Sequence, residues 1–502
     1  MSNFIAVNQL LAKNSLKAMH NKLVFLKTIN RQLDAQWGST FSGFSTGSSF
    51  RINRPARFSS VAGNTLNVES FVEDPVFLTI APGQDQRNVG VQFNSAELTL
   101  ELNNEKTRVG EPIGLQLATD LEQKILVETA LRAGGYVIAS GNSTLGTKIA
   151  TADLLLAQAQ LDSLACPQGL RSTLIPPFSM AQLSRENLNL FTPTVNDGIY
   201  PTGYVKEFAG SDIFSYNLLP VYSVPALRGV GSDADVEYLL QSAVLDGASS
   251  VSLTIPAVDN GKILQVGTIL EFEVFDVVNP ETRISTGKRY SFALAPNPAT
   301  SGATFVNTRG DYALVTGTQT FQIDAAAKIY GPSDVGNRQN ITALPGVGAV
   351  VRVVGQSNEL FATTNTSGSA VISFAGARAN MVGMSVYGTG VPAGATVSSV
   401  APGVSITISA VSTANVTAIV LSGAKSYDQV VMYHEDAFTG TVIPLTTELP
   451  GAYAARADYD GFSIRTAVQM GIGTDVVTHR FDVYGKGILQ RDNYAVRILV
   501  AR

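Results

Sequence analysis

Between Glu359 and Lys425 the sequence contains one charged residue, Arg378, and otherwise consists mainly of Ala, Gly, Ser, Thr and Val. Glycines and prolines interrupt short alternating runs such as ATVSSV at 395–400. This pattern is typical of short β strands joined by tight turns. Residues 357–424 are therefore predicted to form a small β module of their own.

Glycines at 388, 390 and 394 give this module a superficial likeness to a phosphate-binding loop. A dinucleotide site needs Gly-x-Gly-x-x-Gly between a strand and a helix, so that the helix N-terminus faces the pyrophosphate. Here the third glycine lies one position too far, Pro392 interrupts the turn, and a strand pattern follows. The spacing favours β turns over a nucleotide site.

The composition favours a protein whose surface is largely covered by other protein. Only 15% of the 502 residues are charged, whereas typical soluble domains have about 25%. A single cysteine, Cys166, excludes an intrachain disulfide. No apolar run is long enough to span a membrane, and no secretion signal is recognisable at the N-terminus. We expect the chain to be made in the cytoplasm.

Positive charge is concentrated in the first part of the chain. Residues 1–57 contain eight lysines and arginines but one acidic residue, Asp34, although the whole chain has a net charge of -5. Leu16, Met19, Leu23 and Leu26 recur at helical spacing between the lysines, which predicts an amphipathic helix from Asn3 to about Ala35. The basic face indicates a polyanion or an acidic protein as partner; a simple solvated helix face is the alternative.

The rest of the chain alternates between strand and helix patterns. Residues 51–102 contain several strands, and we expect them to form a long two-stranded excursion from the body. A strong helix follows, with an apolar stripe at Ile113, Leu117, Leu121 and Ile125 that ends at Gly134–Gly135. A second helix ends at Pro167, and residues 226–345 consist of short strands and turns.

No pattern of catalytic or metal-binding residues is recognisable. The histidines, His20, His434 and His479, are far apart, and the HED sequence at 434–436 is more typical of surface residues than of a metal site. GFSTG at 43–47 matches a nucleophile elbow, but a strand pattern follows it where the elbow requires a helix. We therefore expect no enzyme activity, no metal and no cofactor.

The order of these segments resembles the major capsid proteins of tailed bacteriophages with the Hong Kong 97 fold. The resemblance is to the coat proteins of Salmonella-type short-tailed phages, which contain an inserted β-barrel domain. The stretches that carry it are RINRPARFS at 51–59, VGEPIGLQLATDLEQKILVETA at 109–130, VGTILEFEVFDVVNPETRISTGKRYSFAL at 266–294 and YDQVVMYHEDAF at 427–438. The uncharged module departs from this pattern and resembles the Ig-like modules of phage structural proteins.

The resemblance implies an α+β fold with the following divisions. They are an N-terminal arm (1–50), an E-loop (51–95), a P-domain with a spine helix (96–146), an A/P-domain (147–225), an inserted I-domain-like β-domain (226–345), A/P-domain return strands (346–356 and 425–502) and an Ig-like accessory insertion (357–424).

The implied function is self-assembly, as hexamers and pentamers, into the icosahedral shell that encloses phage double-stranded DNA in the virion. The implied partners are other copies of the chain, scaffolding protein, portal protein, the packaged DNA by non-specific contact and, optionally, a decoration protein. The expected subunit interface comprises Arg51, Arg54, Arg57, Phe71, Val76, Phe77 and Arg87, and the expected lumenal basic arm comprises Lys13, Lys17, Lys22, Lys27 and Arg31. The alternative is a β-rich bacterial surface protein or adhesin.

Overall fold

The computed structural model describes residues 2–32, 49–58, 60, 62–64, 68–69, 71–81, 83, 85–94, 109–141, 143–144, 146–190, 207–230, 235–298, 310–449, 451–471 and 476–502. These residues form a mixed α+β fold that is mostly sheet. The helices are, in chain order, α1 (Ser2–Lys22), α2 (Phe25–Thr28), α3 (Glu111–Glu128), α4 (Thr151–Ser163) and α5 (Pro177–Leu190).

The strands follow the same numbering scheme. They are β1 (Ser49–Arg54), β2 (Asp74–Thr79), β3 (Gln86–Asn94), β4 (Gly135–Ile138), β5 (Arg171–Ile175), β6 (Glu207–Phe208), β7 (Ser211–Ser215), β8 (Tyr222–Val224), β9 (Asp235–Leu240), β10 (Ser250–Ile255), β11 (Ile263–Leu264), β12 (Ile269–Val278), β13 (Ser285–Ala293), β14 (Tyr312–Ala313), β15 (Gly317–Gln322), β16 (Val350–Ser357), β17 (Glu359–Ala362), β18 (Val371–Ser373), β19 (Ser385–Tyr387), β20 (Val397–Ala401), β21 (Ser405–Ile408), β22 (Ala418–Ser422), β23 (Lys425–His434), β24 (Phe438–Val442), β25 (Tyr453–Tyr459), β26 (Phe462–Gly471), β27 (Val476–Leu489) and β28 (Ala495–Ala501).

Helix α3 lies at the centre of the main core. Its apolar stripe, predicted from the four-residue spacing, is buried at Ile113, Leu117, Leu121 and Ile125. The helix ends at Glu128, before the predicted glycine stop, because the backbone leaves the helical region there and a short 3-10 turn follows at Ala130–Arg132. The apolar period therefore predicted the helix and its buried face, but not its last turn.

The N-terminal helix packs against α3. Its apolar side is buried at Leu11, Leu16 and Met19, as its spacing predicts. The single helix expected up to about Ala35 is divided instead, because Glu122 of α3 accepts hydrogen bonds from the backbone N–H groups of Val24 and Leu26 at 2.6 and 3.4 Å. This carboxylate satisfies free donors at the start of α2, so a new helix begins there.

Two sheets complete the body of the molecule. One has the order β24-β27-β26-β25, with β3 also paired to β27. The other has the order β4-β28-β23-β5-β7-β6, with β8 also paired to β23. Gly485 and Gly487 of β27 lie under Leu121 and Ile125 of α3, where a side chain on β27 would collide with the helix. The chain's last strand, β28, lies inside its sheet, between β4 and β23.

A six-stranded antiparallel sheet with the order β13-β12-β16-β9-β10-β15 forms a second core. A bridge between Leu294 and Ile323 joins its two outer strands, so the sheet closes on itself. Strand β16 pairs with β12 and β9 in the middle of this sheet. The assignment of 346–356 to the return strands of the body is therefore wrong, because VVRVVG completes the β-domain. A run of apolar residues does not itself specify which sheet it joins.

The uncharged segment forms two three-stranded sheets, β17-β22-β19 and β18-β21-β20, around a small core of its own. Its first and last strands, β17 and β22, pair antiparallel, with Glu359 opposite Leu421. The chain therefore enters and leaves the module at one place. The glycine-rich stretch at 388–394 lies in the turns between β19 and β20, with Gly390 and Gly394 at positive φ.

The excursion is shorter than expected. Strands β1 and β2 form a two-stranded sheet, with Arg54 opposite Asp74 and Ser49 opposite Thr79. Strand β3, which was expected to be part of the excursion, pairs along its whole length with β27 of the body. The excursion therefore consists of the β1–β2 hairpin and its connecting loop. Residues 95–108 lie outside the described residues, as do residues 33–48, which contain the GFSTG sequence.

Candidate assembly interface

One face of the β1–β2 hairpin packs against the body. Val76, Leu78 and Ile80 alternate along the chain and are at most 8% exposed. Leu78 and Ile80 pack against Ile443, and Val76 lies in the main core. Since successive side chains of a strand point to opposite faces, the residues between them must point away from the body.

The opposite face of the hairpin carries apolar side chains at the surface. Phe77 is 53% exposed and lies directly opposite Arg51 of β1. In the connecting loop, the rings of Phe58 and Phe71 stack with their centroids 6.4 Å apart, and each ring is about two-thirds exposed. Val68 is also exposed. Exposed aromatic side chains on one hairpin and its loop are typical of a protein contact. We call the three phenylalanines Phe58, Phe71 and Phe77 the aromatic patch.

Ion pairs join the two sides of the hairpin to each other, and hydrogen bonds join the hairpin to the β-domain. Arg51 pairs with Glu73, and Arg54 pairs with Asp74 across the two strands. Arg54 also donates a hydrogen bond to the carbonyl oxygen of Ala326, at 2.8 Å. Asn337 of the β-domain donates to Glu69, at 2.9 Å. The hairpin therefore contacts both the body and the β-domain.

A buried cluster of four charged side chains lies where the hairpin meets β3. The Lys124 ammonium is 2.8 Å from Asp85 and 3.2 Å from Glu128. The Lys486 ammonium is 3.1 Å from Asp85 and 3.0 Å from Glu128. We call these four residues the charge cluster. It joins the turn before β3, helix α3 and strand β27.

Hydrogen bonds to the backbone complete the charge cluster. Lys124 donates to the carbonyl oxygen of Gly485 at 2.8 Å, and Asp85 accepts from the N–H of Ala81 at 2.7 Å. Burial disfavours the charged form of Asp85, but the two ammonium groups outweigh it and hold its pKa below the usual value. Burial lowers the pKa of Lys124 despite the two carboxylates. Asp85 therefore fastens the base of the hairpin as an ionised carboxylate.

The basic residues of the first two helices form a separate surface. Lys13, Lys17, Lys22 and Lys27 are exposed on the side opposite the buried stripe. Arg31 is different, because its guanidinium lies 4.4 Å from the centre of the Phe462 ring and donates to the carbonyl oxygen of Asp460 at 2.8 Å. Arg31 therefore binds the body of its own chain and is not equivalent to the four lysines.

The remaining predicted interface residues are at three different places. Val76 is completely buried within its own chain, so its side chain is not available to a neighbour, and its inclusion was wrong. Arg87 lies half-buried in β3 on the body sheet, outside the hairpin. Arg57 lies beside a cleft at the foot of the hairpin. Arg51 and Phe77 lie opposite each other on the hairpin, and Phe71 is exposed in the connecting loop.

Sequence reasoning missed Phe58, Val68 and the charge cluster. The alternation in PVFLTI at 75–80 could have separated buried Val76 from exposed Phe77. The spacing of Lys124 and Glu128, four residues apart on the buried side of a helix, indicated an internal ion pair. Nothing local indicated that Asp85 and Lys486 would join them.

The HED sequence at 434–436 has structural contacts. The His434 Nδ1 atom accepts a hydrogen bond from the N–H of Asp436 at 3.1 Å, and Asp436 accepts one from the Asn30 side chain at 2.8 Å. Among the described residues no group of three His, Cys, Asp or Glu side chains is placed to hold a metal ion. No helix in the described part of the chain combines the length and apolar character needed to cross a membrane.

Comparisons with known proteins give matches at the level of structure alone. No protein-family model matches the sequence, and no curated protein matches it. The chain is similar to a solved structure of Mycobacterium phage Che8, at 8% identity and a TM-score of 0.37, covering 95% of this chain and 90% of that one. It is also similar to the capsid structure of the cyanophage P-SCSP1u, at 10% identity and a TM-score of 0.36, with 91% and 84% covered. A third is the mature capsid of bacteriophage PhiM1, at 8% identity and a TM-score of 0.35, with 90% and 81% covered.

Proposed function

We propose that this chain is the major capsid protein of a tailed bacteriophage and that it self-assembles into a closed icosahedral shell through the β1–β2 hairpin. The observation that carries the proposal is the aromatic patch, which comprises Phe77 on the outer face of that hairpin and Phe58 and Phe71 in its connecting loop. Its function is then structural rather than enzymatic. The order of segments in the sequence, which resembles that of Hong Kong 97-type capsid proteins, agrees with it.

The hairpin has the properties of an element that binds a second chain. In the described residues β1 and β2 pair only with each other, so their outer edges have unpaired backbone groups that can pair with another strand. A two-stranded sheet is marginally stable by itself. The charge cluster and the pair of Arg54 with Asp74 hold this hairpin in a defined position, which reduces the entropy cost of binding a neighbour.

Within the proposed shell, the hairpin and the exposed lysines would bind different partners. The hairpin would extend over a neighbouring copy within hexamers and pentamers. The exposed lysines of α1 and α2 would face the lumen and bind scaffolding protein or DNA phosphates, because a surface with four ammonium groups attracts polyanions. Portal protein and an optional decoration protein would complete the virion, which would be assembled in the cytoplasm of the host.

Electron microscopy of the purified protein tests the proposal. We expect closed shells from the native chain and folded, unassembled protein from the double variant Phe71→Ser/Phe77→Ser. The matched control is Phe178→Ser, which removes a ring that is 84% exposed on α5 and should leave assembly intact. If the double variant formed shells, the hairpin would not be part of the assembly interface. Fibres from the native protein would favour the alternative, a bacterial surface protein.

A further inference from the structure

The segment that leads from the body into the β-domain is bound by side chains along its length. Residues 225–229 follow β8 of the body sheet and precede β9 of the β-domain, and we call them the strap. The strap belongs to no helix or strand, and Leu227 within it is completely buried in the second core. Since buried backbone groups outside a sheet have no ladder partners, each needs a hydrogen bond from elsewhere.

Four consecutive carbonyl oxygens of the strap accept hydrogen bonds from side chains. The acceptor and donor residues, with the donor–acceptor distances, are Pro225 with Gln356 (3.0 Å), Ala226 with Lys262, Leu227 with Ser422 (2.6 Å) and Arg228 with Asn358 (3.3 Å). Gln356, Asn358 and Ser422 are buried. They lie where the chain enters the uncharged module and where it leaves it, so the strap is bound at both crossings.

The N–H groups of the strap are bound to the β-domain. Arg228 and Gly229 donate to the two carboxylate oxygens of Asp259, each at 2.8 Å. Asp259 is completely buried and also accepts a hydrogen bond from the Tyr238 hydroxyl at 3.0 Å. The strap therefore joins the β-domain to both chain crossings of the module.

Lys262 contacts the β-domain, the strap and the module. Its ammonium lies 3.3 Å from Asp259, donates to the hydroxyl of Tyr387 in β19 at 2.8 Å and lies 5.4 Å from the centre of the Tyr387 ring. Gln356 also donates to the carbonyl oxygen of Gly423, directly after the last strand of the module, at 2.9 Å. A rotation of the module about its two connecting chains would break these bonds and leave buried polar groups unpaired, which is costly.

We propose that the strap fixes the module to the β-domain, so that the two move as one rigid body. Domains joined only by short connections normally move relative to each other. The strap removes this freedom because its bonds lie at both crossings. The module and the β-domain then present one preformed surface, and a partner that contacts both does not have to order them.

The proposal does not depend on the proposed shell function, because the strap lies within one chain. The test therefore uses the purified, unassembled protein, with nitroxide labels on Ser399→Cys of the module and Thr318→Cys of the β-domain, both at exposed positions. The native cysteine, Cys166, is buried, so we expect it to remain unlabelled. Double electron–electron resonance measures the distribution of distances between the labels. We expect one narrow distribution; a broad distribution would overturn the proposal.

Variants of the labelled chain locate the restraint. Lys262→Met/Gln356→Leu removes two of the donors to the strap and should replace the narrow distribution by a broad one. The matched control, Lys328→Met/Gln241→Leu, makes the same replacements elsewhere in the β-domain and should keep the narrow distribution. Circular dichroism establishes that each variant is folded. An unchanged narrow distribution in the Lys262→Met/Gln356→Leu variant would exclude the strap as the restraint.

Hydrogen exchange tests the strap without any substitution, and therefore also if the double variant does not fold. The amides of Arg228 and Gly229 should exchange as slowly as those of the β-domain strands, because Asp259 binds them in a buried place. Mass spectrometry of a peptide that covers residues 225–230 measures the exchange. Exchange as fast as in an unfolded chain would contradict the proposal.

Discussion

The backbone of Ser15 in α1 lies directly against Gly114 of α3, so that a β-carbon added at Gly114 would be 2.9 Å from the carbonyl carbon of Ser15 and would collide with its oxygen. The Ser15 hydroxyl also donates to the carbonyl oxygen of Gly110, at 2.8 Å. The two helices therefore approach as closely as their backbones allow, and the N-terminal helix is an integral part of the main core.

This close approach predicts whether a substitution at Gly114 stabilises or destabilises the protein. In an isolated helix Gly→Ala is stabilising by about 1 kcal/mol. Gly114→Ala should instead lower the free energy of unfolding by about 1–3 kcal/mol, because the methyl group has no space between the helices. Urea unfolding measures the change. Gln116→Ala, on the exposed side of α3, serves as control, and stabilisation by Gly114→Ala would show that α1 does not pack here.

Removing the carboxylate of Asp85 should destabilise the base of the hairpin. Asp85→Asn leaves Lys124 and Lys486 with one carboxylate between them in a buried place, which costs about 3 kcal/mol. Denaturant unfolding measures this destabilisation, and increased proteolysis at the hairpin would locate it. Asp458→Asn breaks the exposed pair with Arg456 and should cost under about 1 kcal/mol. Equal effects of the two variants would contradict the role of the charge cluster.

Asp492 predicts a pH dependence of stability. Burial raises its pKa to about 6, although the N–H of Gly134 donates to it at 2.7 Å. The folded state therefore binds this proton more tightly than the unfolded state, so the stability contribution is largest below pH 4 and decreases as the pH rises to about 6. The decrease should be roughly 3 kcal/mol. Asp492→Asn should remove it in unfolding curves measured from pH 4 to 7; an unchanged pH profile would exclude Asp492 as its source.

Replacing Lys13, Lys17, Lys22 and Lys27 by Gln should leave the fold intact. All four side chains are exposed, and Gln has nearly the helix propensity of Lys. Binding to double-stranded DNA should weaken, and the slope of its salt dependence should decrease by about 0.9 for each lysine–phosphate ion pair that the substitutions remove. Filter binding over a series of salt concentrations measures both. The matched Lys→Arg variant should bind DNA like the native chain. If the Gln variant bound DNA as tightly as the native chain, this surface would not be a polyanion-binding site.

The uncharged module should be removable. Its first and last strands pair with each other, so a short Gly/Ser linker can join residues 358 and 423 without moving either end. We expect the body and the β-domain to fold, with a lower unfolding temperature because the deletion removes the 2.8 Å hydrogen bond between Lys262 and Tyr387. Circular dichroism and calorimetry measure this. An insoluble product would show that the module belongs to the main fold.

Local sequence patterns predicted those features of the fold that depend on the spacing of residues within one helix or strand. The stripe from Ile113 to Ile125 was evident because the helix period places those side chains on one face. The sheet that contains β16 was not evident from the sequence, because the apolar run of this strand fits either sheet. The charge cluster could not be predicted, because Asp85 and Lys486 meet only after the whole chain has folded. The alternation around Phe77 could have indicated that this side chain is exposed and that of Val76 is buried, but the loop residues Phe58 and Phe71 have no such pattern.

The placement of β27 and β28 also sets the order of events during synthesis. The charge cluster needs Lys486, and the sheet that contains β4 needs β28 between β4 and β23. Both strands follow the hairpin by about 400 residues of chain, so the hairpin cannot be fastened to the body until this later part of the sequence has been synthesised. A chain at this stage of translation therefore carries the exposed aromatic side chains on an unfastened hairpin, and it cannot present them in the geometry that the proposed contact with a neighbouring copy requires.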